Sequence, residues 1–115
     1  MFGNMMPYQL TINALMAHGK RVFSESEVVS VTSDHDYHQT TLGEIFTRSA
    51  QLAHYLKKQK IKKSERVGTL AWNDFRHMEL YFGVSSYGGV CHTINPRLHP
   101  EQIEYIINDA QDQIL

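Results

Sequence analysis

Along the second half of the chain, short apolar runs alternate with stretches whose apolar positions recur every three or four residues. Val67 to Trp72 is mostly apolar without a two-residue alternation, the pattern of a strand covered on both faces. Asn73 or Asp74 then offers a cap for a helix running from Phe75 to about Tyr87. Gly88-Gly89 ends that helix by permitting a left-handed turn. Val90 to Ile94 is the next strand. His99-Pro100 opens a second helix with proline in its first turn, where the missing N–H costs nothing, and Ile103, Ile106, Ile107 and Ala110 form its apolar stripe. The step Ile114-Leu115 reads as the opening of a further strand, so the chain is expected to be an incomplete folding unit.

The first half is patterned differently. Residues 1–10 read as an irregular lead-in. From Thr11, a plausible N-cap, to about Phe23, a helix places Ile12, Leu15, Met16 and Val22 on one stripe. Glu27 to Thr32 is β-branched and strand-like, the polar SDHDYH suits a turn, and Tyr37 to Thr40 returns as a hairpin partner. Thr41-Leu42-Gly43-Glu44 has the form of a capping box, in which hydroxyl and carboxylate each satisfy a backbone donor of the helix start. Behind it Leu42, Ile45, Phe46, Ser49, Leu52, Ala53 and Leu56 follow the spacing of a buried stripe, and Lys57, Lys58 and Lys60 place positive charge at the helix C-terminus. Strands alternating with crossover helices imply an α/β fold with parallel strands, here with an added β-hairpin, over residues 11–115.

Composition narrows the class. The 115 residues fit one domain at most, with 42% hydrophobic positions. Eleven Lys plus Arg against twelve Asp plus Glu give a formal charge of −1, so no global field steers the chain to nucleic acid or to a membrane surface. No run approaches the roughly 18 apolar residues a membrane span requires. The single cysteine, Cys91, excludes an internal disulfide and fits a reducing compartment, and a cytoplasmic location is the expectation.

Each candidate for chemistry competes with a structural reading. Gly19-Lys20 suggests a phosphate loop, but the positions that motif needs hold Ala14 and Arg21, and the context is helical; a solvated helix end is the simpler reading. Asp34, His35, Asp36 and His38 gather metal-ligating types within the expected hairpin turn, where Asp and His occur for backbone reasons. Lys57, Lys58, Lys60, Lys62, Lys63 and Arg66 form a basic cluster opposed only by Glu65; without interleaved aromatics it reads as solvated surface. Trp72-Asn73 and Asn95-Pro96-Arg97 follow the two strands of the second half, where ligands gather in open α/β sheets, although asparagine is also a cap and a turn former. His77 and His92 are candidates for hydrogen bonding within the sheet–helix layer, and Cys91 lies mid-strand as a buried, unreactive thiol. No catalytic, cofactor-binding or metal-binding residue is assigned on these grounds.

Taken in order, the Thr40-Thr41-Leu42-Gly43-Glu44-Ile45 helix start, Arg66-Val67, Asn73, Gly88-Gly89-Val90, Asn95-Pro96-Arg97-Leu98 and Tyr105-Ile106-Ile107-Asn108 resemble the N-terminal part of the adenylate-forming ligases, the AMP-binding enzymes. The segments ELYFGV, HTINPRL and IEYIIN are most similar to medium- and long-chain fatty acyl-CoA synthetases, and the resemblance spans residues 8–115. It implies a parent enzyme in which a fatty acid carboxylate attacks the α-phosphate of ATP with Mg²⁺, releasing pyrophosphate, after which the thiol of CoA displaces AMP. The phosphate loop, the ribose-binding acid and the catalytic lysine of that family lie beyond the matched part, so the isolated chain is expected to be inactive, with no cofactor bound by it. The implied partners are the remainder of the ligase and, as in some relatives, a second copy in a homodimer; a non-catalytic interaction or dimerisation module derived from the family is the alternative. A phosphoacceptor signalling domain of similar layering is disfavoured, because Asn73 follows the strand where acids would be needed. The sequence departs from the family where glycine usually follows the long helix and Gly-Asp precedes Arg-Val: here stand Lys60 and Ser64-Glu65.

Overall fold

Four helices and two small sheets make up the described residues. A computed structural model describes residues 3–32 and 37–115. The element order is α1 (Ile12–Val22), β1 (Glu27–Ser30), β2 (His38–Thr41), α2 (Leu42–Lys58), β3 (Arg66–Leu70), α3 (Phe75–Tyr87), β4 (Val90–Ile94) and α4 (Pro100–Ala110). β1 and β2 form an antiparallel hairpin, and β3 and β4 form a parallel pair joined through α3. The expected further strand begins as a parallel bridge between Val67 and Ile114, on the opposite edge of β3 from β4. The mixed α/β architecture read from the sequence is therefore the one observed.

Strand lengths are set by their partners. β1 ends at Ser30 rather than Thr32 because its pairing closes with Ser30 opposite His38. β3 ends at Leu70 rather than Trp72 because Leu70 faces Ile94, the last residue of β4 before the chain turns at Asn95. Leu56, Ile61, Val67 and Val84 form the buried centre, with Leu52, Tyr87, Cys91 and Ile114 packed around it. The expected stripe of α2 is seated as read: Ile45, Phe46, Ser49 and Leu56 are buried and Leu42, Leu52 and Ala53 half-buried. The stripe of α1 is not. Ile12, Leu15 and Val22 stay exposed, and the helix rests on α2 through Gly19, where a Cβ would lie 2.7 Å from the Phe46 ring. On α4 the four predicted positions are half-buried and none is fully covered.

The contact between α2 and α3 rests on two small residues. A Cβ at Gly83 would stand 2.6 Å from Leu52 Cδ2 and 3.0 Å from the Ser49 carbonyl oxygen, so only glycine permits this approach. The Ser49 hydroxyl lies 2.8 Å from Ile45 O and 3.1 Å from Glu79 O, and its one proton serves the two carbonyls. Beside it the Arg48 guanidinium donates to Glu79 Oε1 at 2.6 Å.

The capping box forms as its sequence requires. Glu44 N–H donates to Thr41 Oγ1 at 3.2 Å, and Glu44 Oε2 accepts from the Thr40 hydroxyl at 2.6 Å and from Thr41 N–H at 3.0 Å. These bonds, the Thr40 hydroxyl foremost, hold the Glu44 carboxyl below the usual 4.5. A carboxyl depressed in the folded state adds stability above its unfolded value and loses it as pH falls through the folded one. The melting temperature should therefore drop as the pH is lowered below 4.5, and Glu44→Gln should flatten that slope in calorimetry.

Both departures from the family pattern adopt the backbone that glycine favours. Lys60 has φ 62° and Ser64 φ 67°, each a left-handed conformation that costs about 1–2 kcal/mol for a residue with a Cβ. Against the extra unfolded-state freedom of glycine, Lys60→Gly and Ser64→Gly should each raise the unfolding free energy by about 0.5–1 kcal/mol in urea denaturation.

Candidate functional site

Because β3 and β4 run parallel, both deliver their chains to the same end of the sheet. There the residues after Leu70 and after Ile94 border a crevice of about 340 Å³, lined among others by Trp72, Asn73, His77, Tyr81, Asn95 and Arg97. Asp74, not Asn73, caps α3: its Oδ1 accepts from Arg76 N–H at 2.9 Å and from His77 N–H at 3.1 Å. Asn73 is thus released from the capping role the sequence allowed it and stands exposed at the rim. Asn95 does serve a turn, since its Oδ1 accepts from Arg97 N–H at 3.0 Å and its carbonyl from Leu98 N–H at 3.2 Å. That turn carries the Arg97 guanidinium to 5.3 Å from the centre of the Trp72 ring. The pair offers a flat apolar face and a fixed positive charge at the strand ends, suited to a planar or anionic group.

His77 forms the floor. Its Nε2 lies 3.1 Å from the Thr69 hydroxyl, its ring packs on Tyr81 at 4.8 Å, and its Nδ1 is buried with no hydrogen-bond partner among the described residues. Burial pushes the thiol of Cys91, next along β4, above its ordinary value of 9.0, with the Thr69 hydroxyl opposing the shift. A thiol so raised is a poor nucleophile near neutral pH, as expected, but Cys91 is half-buried rather than the buried thiol its mid-strand place suggested.

The other candidates are dispersed. Gly19 is buried in a helix–helix contact rather than at a solvated end, and Lys20 reaches the Thr47 hydroxyl at 3.5 Å; the two make no cradle for phosphate. Asp34, His35 and Asp36 lie outside the described residues, while His38 stacks on Phe75 at 3.8 Å. No group of three or more His, Cys, Asp or Glu among the described residues could hold a metal ion. In the basic cluster the five lysines are exposed, whereas the Arg66 guanidinium donates to the Ala110 carbonyl and so serves the fold. A polar cleft of about 870 Å³ between α1, β2, α2 and α3 is lined by Lys20, His38, Glu44, Arg48 and Glu79, most of them already engaged in the pairs described above. Sequence reasoning missed the partners Glu79 for Arg48 and Asp112 for His92, which lie 31 and 20 positions away and carry no local signal.

Trp72 is the one tryptophan of the chain, so its emission reports on the crevice. Arg97→Ala should change its intensity and quenching by iodide while leaving the far-ultraviolet circular dichroism unaltered; unchanged emission would show that the guanidinium does not rest on the ring.

Comparison with known proteins places this geometry. Residues 17–115 match the family described as AMP-binding enzyme. Over 115 residues the chain is 46% identical to the 3-methylmercaptopropionyl-CoA ligase of Ruegeria lacuscaerulensis and 44% identical to the medium-chain-fatty-acid–CoA ligase of Ectopseudomonas oleovorans, covering 100% of this chain and 21% of each relative. The chain thus spans about a fifth of the length of the curated relatives it matches. Among solved structures, an anthranilate CoA ligase in complex with anthranoyl-AMP superposes with a TM-score of 0.81 at 21% identity, over 95% of this chain and 20% of that one, which shows the shared fold. None of the described helices is long and apolar enough to cross a membrane. By the extent of the family match, the chain belongs to the AMP-binding enzyme family.

Proposed function

We propose that this chain is the N-terminal segment of an ATP-dependent fatty acyl-CoA ligase and supplies scaffold rather than chemistry. The observation that carries the reading is end-to-end identity of 46% and 44% with two acyl-CoA ligases, each matched over only 21% of its length. The side chains support the same division. Gly19 is packed into a helix contact while Lys20 is exposed, the described residues hold no candidate metal cluster, and His77, His92 and Cys91 are engaged within the sheet–helix layer. On this reading, binding of ATP and Mg²⁺ and activation of the carboxylate belong to the remainder of the ligase.

Exposed apolar positions on α1 and the half-covered stripe of α4 fit a segment that packs against more protein. The crevice at Trp72, Asn73 and Arg97 lies at the carboxyl ends of β3 and β4, where α/β enzymes collect ligands, and there the segment would border the parent's substrate site. Medium- or long-chain fatty acids are the proposed substrates. The 3-methylmercaptopropionyl relative widens the class to short thioether acids.

The test is ATP–pyrophosphate exchange with octanoate, palmitate and 3-methylmercaptopropionate as separate acids. The 115-residue chain should show none, and the complete protein that contains it should exchange with at least one. Exchange by the chain alone would overturn the assignment of the chemistry, and a complete protein inert toward all acyl acids would overturn the ligase reading.

A further inference from the structure

The side chains of His92 and Asp112 meet over Gly68, although Asp112 itself lies before the residues that pair with β3. His92 on β4 is the register partner of Gly68 on β3, and on the far edge of β3 the backbone of 113–114 joins the sheet through Gln113 N–H to Arg66 O and Gly68 N–H to Ile114 O, both 2.9 Å. Asp112, immediately before that strand, sends its carboxylate back across β3 to His92 Nδ1, at 2.8 Å from Oδ2 and 3.0 Å from Oδ1. Two strand spacings, about 9.6 Å, separate the outer strands of such a sheet, so side chains meet across the middle strand only where that strand presents nothing on the shared face. Gly68 meets the condition. A Cβ there would lie 2.9 Å from Asp112 Oδ2 and 3.0 Å from Leu115 Cδ1.

We propose that His92 and Asp112, meeting over Gly68, form a clasp that fixes the register in which the strand beginning at Gln113 joins β3. Two backbone hydrogen bonds cannot do so alone, because a slip by two residues restores the same ladder and the same faces. Such a slip would carry Asp112 about 6.6 Å from its present place. Its carboxylate, 0% exposed, has the imidazole as its one side-chain partner among the described residues, and would be left buried and unpaired. The left-handed Gln111, φ 55°, and the Arg66 guanidinium bonded to Ala110 O aim the chain into this position. The backbone of 113–115 runs parallel to β3, bridging it at Val67 and Ile114. The inference rests on the sheet geometry and is independent of the ligase reading.

Hydrogen exchange read by mass spectrometry on peptides covering 66–70 and 111–115 tests it, with the α2 peptide as internal reference. Asp112→Ala and His92→Ala should each speed exchange in both strand peptides about tenfold or more relative to α2, and the double variant should add little to either. Additive effects, or unchanged strand exchange, would overturn the clasp. Gly68→Ala supplies the second arm, readable even if the alanine variants lose stability. Its effect on the denaturation midpoint should be large with Asp112 present and clearly smaller on the Asp112→Ala background, whereas equal effects on both backgrounds would show that the carboxylate does not cross at Gly68.

Discussion

The close approach of α2 to α3 is the constraint on which the rest of this structure depends. α2 is continuous with the hairpin, because Thr41 both ends β2 and caps the helix, while α3 is the crossover that makes β3 and β4 parallel. The two halves are coupled where Ser49 faces Gly83. With no side chain at 83, Leu52 and the Ser49 backbone settle against α3, and the Ser49 hydroxyl uses a carbonyl of its neighbour as well as one of its own helix. Glu79 can then be buried at this seam because the Arg48 guanidinium covers its carboxylate from the solvent side. Moving these helices apart by the width of one methyl group would open the cluster of Leu56, Ile61, Val67 and Val84 that lies beyond them.

Burial is unevenly distributed around that seam. α2 and the centre of β3 are covered, while α1 exposes Ile12, Leu15 and Val22 and α4 buries none of its residues fully. Both outer helices are amphipathic in sequence, and an apolar stripe is stabilising only when something covers it. The two relatives that match this chain end to end are about five times its length. The crevice beyond β3 and β4 is walled by Trp72 and Arg97, whose guanidinium lies 5.3 Å from the ring centre.

Much of the fold was legible because it is encoded locally. The capping box at Thr41 and Glu44, the positive φ of Gly88, the proline at the start of α4 and the three-four spacing of α2 each depend on residues within a turn or two, and each takes the form its sequence predicts. Even the bridge at Ile114 was visible as an apolar step. Asp74 rather than Asn73 caps α3 because its carboxylate reaches two N–H groups, a choice that local sequence left open. The exposure of α1 was not legible at all, since periodicity reports which face is apolar and not whether a neighbour exists to cover it.

By itself, then, the sequence determined the identity and order of the elements, the α/β class and the family, because capping, turn chemistry and periodicity act over a few residues and because those motifs recur in a fixed order. Tertiary structure alone decided which distant groups meet: Arg48 with Glu79, Thr69 with His77, Arg97 with Trp72, and Asp112 with His92 above Gly68. These pairs depend on helix crossing and strand register, which are set by the packing of the whole chain and leave no mark in the neighbourhood of either residue.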